Sequence, residues 1–555
     1  MYTARRRAVM VYTNARDLAP SKGSRLGTNI ATKLEGAVLD FLVEGEPASA
    51  ARLQQPQQPK PPSMPSMIVI VNKAMHDIMK FIQVENPGPT RSSRIIYLWF
   101  ASVTAAYNWV SSTASNHISG VKDDWNWSTR HVLPVNLSNH IYCWMTYALT
   151  QIMQRFITGY DPAALLELER SELRITAQQQ TARHALVAEM GHWDEFWTAW
   201  LAWYDGRAAD GFVAAGVPPT ADELPNGTAV LEVSNTVDPS TFPQPRAWTP
   251  LKVVQITGVK TQKYLTYNWN DVKSTCLTAA DESAIKAAAL AHYAAGEDRA
   301  AEIAEVVEIT NNLTDTQKMI AEFWAGGPGS VSPPCIVCVM WNIFINAYAQ
   351  QLRTPLQYDT FFFSGLEMAI HVFEAGRLIW GLKKQAMQAR PIQEIRAAYR
   401  GQIVKNGLGE SVLGELWTPF QESNFVTPPF ADFPSGHSGF SQVFALVMTK
   451  WFGPTIQSTA PLSDVDLSLI SPVFPVLSPI AFPTFIMPAG CSQIQPGGAV
   501  PATDITLTWA TWQAIADSAG ISRKYGGIHA TSAHTASVAL GHALHTAITD
   551  HWKLV

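Results

Sequence analysis

Charge is scarce in this chain. Charged residues make up 15% of it, hydrophobic residues 47%, and the net charge is −5. That balance excludes general polyanion affinity and gives no reason to expect nucleic-acid binding, so an anion site has to come from local clustering. Cysteine is sparse too. Cys143, Cys276, Cys335, Cys338 and Cys491 are odd in number and irregularly spaced, which argues against a disulfide framework. Cys335 and Cys338 have redox or zinc spacing, but no second pair completes a zinc site. Followed by Val339-Met340-Trp341, they read as part of a buried helix. No long apolar run follows the basic start at Arg5, Arg6 and Arg7, so no secretory signal is visible. The longest uncharged stretch, 471–491, carries Pro472, Pro475, Pro479, Pro483 and Pro488. Prolines that dense interrupt a membrane helix repeatedly, so an ordered surface loop is expected, with no membrane span. A cytoplasmic location is the default that remains.

What is present is helical pattern over a long chain. A length of 555 residues suggests two or three domains. Residues 46–66, rich in Pro, Gln, Ala and Ser, read as an extended linker that closes an N-terminal arm, 1–66. From Met67 helical periodicity dominates. Ile95, Ile96, Leu98, Trp99, Val103 and Tyr107 share one broad helix face. Trp193, Trp197, Trp200 and Tyr204 recur at helical spacing up to Asp205-Gly206, a stripe suited to core contacts. Thr314 and Gln317 have capping-box form ahead of Met319, Ile320, Phe323 and Trp324, and Gly326-Gly327-Pro328 stops that helix. The 207–270 region, rich in proline and β-branched pairs such as Val253-Val254, reads as loop with a few short strands. The division that follows is a helical bundle over 67–310 with a loop-rich 207–270 insertion, then a helical bundle over 311–555.

Three motifs near the C-terminal end carry chemistry. Lys383 and Arg390 are two helical turns apart, so on one helix they share a face about 10.5 Å apart along the axis. Alone, the pair fits two solvated cations equally well. Pro434-Ser435-Gly436-His437 favours a helix start, where free amides and the positive dipole end attract an anion. Gly436 lets backbone approach a ligand, and His437 can exchange protons near neutral pH. An ordinary Ser-capped helix with a surface histidine has the same sequence. Arg523 and His529 are six apart, on different faces of one helix unless Gly526-Gly527 bends the chain. Arg523 then offers a fork of donors to an oxyanion, and His529 an imidazole to its central atom. The remaining histidines, His534, His542, His545 and His551, lack an HExxH or Cys pattern and read as incidental.

In order, spacing and flanking residues the three motifs resemble the vanadium-dependent haloperoxidases, a branch of the superfamily that includes the type 2 phosphatidic acid phosphatases. The likeness is strongest over 310–555. It implies an all-α fold of two four-helix bundles with long connecting loops and the active site in the C-terminal bundle. It implies that Lys383, Arg390, Ser435, Gly436 and Arg523 hold vanadate, with phosphate able to take the same place. His529 would be the axial ligand to the metal, and His437 and Lys383 the catalytic residues. Trp380 and Phe430 fall where the family shapes its halide pocket, and that pair resembles the chloroperoxidase type. The implied partners are hydrogen peroxide, a halide and a small organic substrate, and a homo-oligomer stays open. The implied activity is oxidation of halide by peroxide to hypohalous acid or its equivalent. An acid phosphatase of the same superfamily with His529 as nucleophile is the alternative, and an oxyanion-binding protein without catalysis a third reading. Two departures stand out. Gly326-Gly327 follows Trp324-Ala325, where the family often carries an acid, and Ala533 stands where an aspartate is common. Asp432 is a candidate substitute.

Overall fold

The computed structural model describes residues 67–85, 87–111, 138–233, 237–255, 258–325, 336–349, 355–456 and 484–551. The arm at 1–66, Cys335, Gly326-Gly327 and residues 471–483 of the proline-dense stretch lie outside the described residues.

Helices dominate. The first half contains α1 (Met67–Glu85), α2 (Gly88–Val110), α3 (Ser138–Phe156), α4 (Ala163–Leu173), α5 (Ala177–Met190), α6 (Trp193–Ala208), the single turn α7 (Phe212–Ala215), α8 (Ala279–Leu290) and α9 (Gly296–Asn311). The second contains α10 (Asp315–Phe323), α11 (Ile336–Ala349), α12 (Pro355–Ala386), α13 (Pro391–Ala398), α14 (Gly436–Phe452), α15 (Trp512–Tyr525) and α16 (Thr531–His551). Strands are short: β1 (Leu231–Glu232), β2 (Leu251–Gln255) and β3 (Gly258–Thr261) form one sheet, β4 (Ile403–Lys405) pairs with β5 (Ser411–Leu413), and β6 (Thr484–Met487) with β7 (Ile505–Thr508). No described helix is long and apolar enough to cross a membrane.

The local causes are legible. Thr176, Thr278 and Thr314 each cap a helix whose third residue reaches back to the cap, satisfying orphan amides at α5, α8 and α10. Trp193, Trp197, Trp200 and Tyr204 stack in series along α6 at centroid separations of 5.2, 4.6 and 5.0 Å. That helix runs through Asp205-Gly206 to Ala208, two residues past its expected end. α2 departs from the single apolar face expected of it. Ile96 through Val103 are buried without interruption, and Ile95, assigned to that face, is only half-buried. A helix buried all round sits between neighbours on every side.

The 32-residue α12 organises the molecule. Along one side it runs antiparallel to α2, with Tyr97 on Phe373 and Tyr107 on Phe362 at ring separations of 5.1 and 4.2 Å. Along another it meets α14, where Lys450 Nζ reaches Glu367 at 2.7 Å. Two glycines set these approaches. A Cβ on Gly365 would stand 2.2 Å from the Phe100 ring, and one on Gly439 2.4 Å from Ile379. α14 packs with α15 and α16, α12 also meets α16, and α8 lies along α16. One apolar cluster extends from Met67 in α1 to Ile548 in α16. Each fully buried large side chain in it contributes about 1.5–3 kcal/mol.

Candidate active site

The site forms where three chain breaks meet. α12 ends at Ala386, and Met387 turns with a φ of 43°. Pro391 forbids helix at the residue before it, so Arg390 is extended (φ −73°, ψ 151°) and caps α13. Lys383 and Arg390 therefore do not share a helix face. Lys383 projects from the last turn of α12, and Arg390 from a connector strapped to the 246–248 loop by Trp248 N–Met387 O (2.7 Å) and Ala389 N–Arg246 O (2.8 Å). Ser435 is the N-cap of α14, its Oγ accepting from Ser438 N at 3.4 Å, so Gly436 opens the helix with free amides. α15 ends at Tyr525, Gly527 turns with φ 67°, and His529 lies in the short link to α16.

These breaks bring Lys383, Arg390, Arg523 and His529, all buried, together with the half-buried His437. Lys383 Nζ donates to Ala431 O (2.7 Å) and Asp432 O (3.0 Å), and burial drives its ammonium well below the ordinary value. With only carbonyls for partners, its charge calls for a bound anion. Arg390 Nε donates to Phe430 O (2.7 Å) and Nη1 to Ile528 O (2.8 Å), while Nη2 is buried without a partner. Arg523 Nη1 lies 3.4 Å from Trp324 O, and its Nε is likewise buried and unpartnered. Burial pushes these guanidinium pKa values down to about 10 and about 9, which still leaves both charged at neutral pH.

The two histidines are held in defined tautomers by their partners. His437 Nε2 lies 2.8 Å from Trp324 O; a carbonyl only accepts, so Nε2 carries the proton and Nδ1 the lone pair. Burial, with Arg523 beside it, keeps this imidazole well below its ordinary pKa. His529 Nδ1 lies 2.5 Å from Asp432 Oδ1, which leaves Nε2 with the lone pair, and Arg390 Nη1 donates to that atom at 3.1 Å. His529 is also held well below its ordinary pKa, first by burial and then by Arg390. Burial alone would raise the Asp432 pKa; Arg299, His529 and Arg390 outweigh it and keep the carboxylate ionised.

Asp432 is thus where the carboxylate expected near Ala533 has gone. Ala533 is buried and offers only its carbonyl, to Ser435 N at 2.8 Å. Around Asp432 lies a layer the motifs did not announce. Arg299 donates to Asp432 Oδ2 (2.9 Å) and to Glu394 Oε1 (2.7 Å). Glu302 accepts from Ser532 N and Oγ (2.5 and 2.7 Å), and Glu305 from Lys524 Nζ and Thr531 Oγ1 (2.5 Å each). Arg299 and Glu302 are one helical turn apart, a face on α9 too charged to be core and too regular to be surface; that spacing was the available signal.

Above the group opens a cavity of 420 Å³. His437, His529, Arg523 and Gly436 line it, with Trp380 and Phe430 beside them. The two aromatic rings are 4.8 Å apart, and Lys383 Nζ lies 5.7 Å from the first and 5.1 Å from the second. A Cβ on Gly436 would come 3.5 Å from Trp380, so any side chain there narrows this floor. A second cluster, Glu367, His371 and His545, lies apart at the α12–α16 contact. Lys450 already neutralises Glu367, and His545 Nδ1 meets His371 Nε2 at 3.1 Å, so these groups satisfy one another.

The donor set suits a tetrahedral or trigonal-bipyramidal oxyanion. Arg299 and Arg390 flank one carboxylate, Asp432; two guanidinium N–H groups, on Arg390 and Arg523, have no partner among the described residues; and a helix N-terminus and an imidazole lone pair border the same space. Residues 360–554 match the family model of the VCPO second helical-bundle domain. Among solved structures, the holo form of a bacterial vanadium-dependent chloroperoxidase matches with a TM-score of 0.55 and 14% identity, covering 84% of this chain and 93% of that one. Its apo form gives 0.56 and 15%, over 84% and 95%. A bacterial vanadium-dependent iodoperoxidase gives 0.54 and 16%, over 90% and 99%. A comparison with curated protein sequences finds no match. The all-α fold is therefore vanadium-haloperoxidase-like.

Proposed function

We propose that this chain is a vanadium-dependent haloperoxidase, oxidising halide with hydrogen peroxide: halide, peroxide and one proton give hypohalous acid and water. The observation that carries the reading is a buried group in which Arg390 and Lys383 face an imidazole, His529, whose Nδ1 lies against Asp432, while Arg523 stands beside the second imidazole, His437. Bound vanadate would supply a Lewis-acidic V(V) centre for peroxide without changing its oxidation state. Lys383, Arg390 and Arg523 would offset its charge, with Ser435 Oγ and the Gly436 amide as further donors. His529 Nε2 would bond the metal once Arg390 Nη1 exchanges that nitrogen for an oxyanion oxygen. His437, neutral near pH 7 and with its Nε2–H committed to Trp324 O, would accept the peroxide proton at Nδ1. Lys383 also faces Trp380 and Phe430, a setting in which a halide meets a cation and aromatic edges. That pair supports chloride as a substrate.

One observation favours a second reading. A histidine with a carboxylate at Nδ1 and the lone pair on Nε2 is also an oriented nucleophile for phosphoryl transfer, once Arg390 Nη1 releases that nitrogen to an oxyanion oxygen. Halogenation of monochlorodimedone with orthovanadate, peroxide and chloride, bromide or iodide separates the two. Vanadate-dependent turnover supports the haloperoxidase, and chloride turnover the halide assignment. No turnover with any halide, with hydrolysis of a phosphomonoester, moves the site to the phosphatase.

A further inference from the structure

We infer that the cavity above this site binds a small apolar organic anion, held by its apolar body against the aromatic wall and by its acid group at Lys260 and Lys263. The reading of the occupant as the halogenation substrate rests on the proposed activity; the class of ligand does not.

Size comes first. Peroxide and a halide each need on the order of one water's share of volume, about 30 Å³. The cavity has 420 Å³, within the range of pockets that hold a whole organic molecule. Lining comes second. Beyond the oxyanion group, the walls are Leu265, Phe425, Pro428, Pro429, Phe430 and Phe440, a surface for an aryl or alkenyl body. Charge comes third. Among the described residues, no aspartate or glutamate lines the cavity, and the only charged residues away from its floor are Lys260 and Lys263. Both are exposed, and neither makes an ion pair among the described residues.

Lys260 lies on β3 and Lys263 two residues past its end, on backbone that is held in place. Gln262 between them accepts from Leu251 N (3.2 Å) and donates to Thr427 O (2.6 Å). Leu265 N donates to Pro429 O (3.1 Å), and Leu265 O accepts from Trp380 Nε1 (3.0 Å). The β2–β3 hairpin is thereby tied to the same wall as the halide-pocket tryptophan. A molecule spanning from that wall to the hairpin presents its apolar end to the oxidising centre. Its acid end stays at the opening.

The test uses two aryl probes of one scaffold. 1-Anilinonaphthalene-8-sulfonate carries an anion, and N-phenyl-1-naphthylamine does not. Each is titrated by fluorescence into the full chain saturated with orthovanadate. The anionic probe should bind one to one and more tightly than the neutral one. Lys260→Ala/Lys263→Ala should weaken the anionic probe about 2- to 30-fold, the range for two exposed ion pairs, and leave the neutral probe unchanged. Leu265→Trp, which fills the cavity, should abolish both. Equal affinity for the two probes in the parent overturns the inference, as does an unchanged double variant. Anionic-probe binding that survives Leu265→Trp, or that orthovanadate displaces, also overturns it by placing the anion elsewhere. Neither lysine makes a hydrogen bond or ion pair to the oxyanion group among the described residues, so the double variant should retain halide oxidation. Loss of halide turnover in the parent, with the probe results intact, would fault the proposed activity alone.

Discussion

Replacing Asp432 by alanine removes the one carboxylate that fixes His529. In the folded protein, Asp432 Oδ1 lies 2.5 Å from the protonated Nδ1 of His529, and Oδ2 accepts an N–H of Arg299 at 2.9 Å, with Arg390 3.8 Å away. Two opposing effects on oxyanion affinity follow. Deleting a negative charge beside the site strengthens the attraction of Arg390 for an anion. Deleting the anchor frees the imidazole to rotate and to place its proton on Nε2, where no ligand bond can form. Loss of such an anchor costs 10- to 100-fold in affinity, about 1.4–2.7 kcal/mol. The charge effect is smaller, because Arg299 retains Glu394 and Arg390 pairs with the carboxylate only at 3.8 Å, without a hydrogen bond. Orthovanadate and phosphate should therefore bind Asp432→Ala about 10- to 100-fold more weakly by calorimetry. Asp432→Asn, which keeps an acceptor for Nδ1–H and loses the charge, should fall much less. The nitrogen NMR shifts of His529 should report a protonated Nδ1 in the parent and in Asp432→Asn, and a mixture in Asp432→Ala. The alanine variant also leaves Arg299 short of one partner in a buried site, at about 3–5 kcal/mol of stability, so affinities are compared well below its melting temperature. Parent-like oxyanion affinity and an unchanged His529 tautomer in Asp432→Ala would refute the reasoning.

Other consequences concern single residues. His529→Ala should lose vanadate retention by more than about 100-fold and halide oxidation with it, read by equilibrium dialysis and turnover; equal vanadate binding rejects a role for His529 in holding the metal. His437→Ala should keep vanadate while kcat for halide oxidation drops about 10²- to 10⁴-fold; a parallel loss of vanadate would assign His437 to binding instead. The His371–His545 pair predicts a pH effect on stability. Burial lowers their pKa values to about 3 and about 4, so the folded state disfavours their protonation. Their contribution is fully present above pH 6.5 and is lost as pH falls toward 4 and below. His371→Gln should reduce the slope of unfolding free energy between pH 6 and 4 by about 1.4 kcal/mol per pH unit, and an unchanged slope in denaturant titrations counts against it.

The three C-terminal motifs were readable because each residue's chemistry is declared by its type. Helix content, the Thr314 cap and the short strands near Val253-Val254 follow equally from local pattern. The shared helix face assigned to Lys383 and Arg390 was not there, because α12 ends at Ala386, Met387 turns with a positive φ, Pro391 keeps Arg390 extended, and the loop around Trp248 holds the connector. The single face assigned to α2 was also too narrow, since its burial comes from α12 and from other helices distant in sequence. Neither error could be seen from periodicity, which records one helix and not what surrounds it.

The sequence by itself determined the inventory: three cations, two imidazoles, a capping serine and a glycine at a helix start, in an order that resembles one family. These are properties of residue type and of a few covalent neighbours. Only the tertiary structure decided that Asp432 supplies the carboxylate to His529, that Trp324 O orients His437, and that α9 braces the His529 link with Glu302 and Glu305. Those partners are separated by 97, 113, 230 and 226 residues in the chain. Hydrogen bonds act over about 3 Å, so which partner a buried group finds is set by how the helices pack.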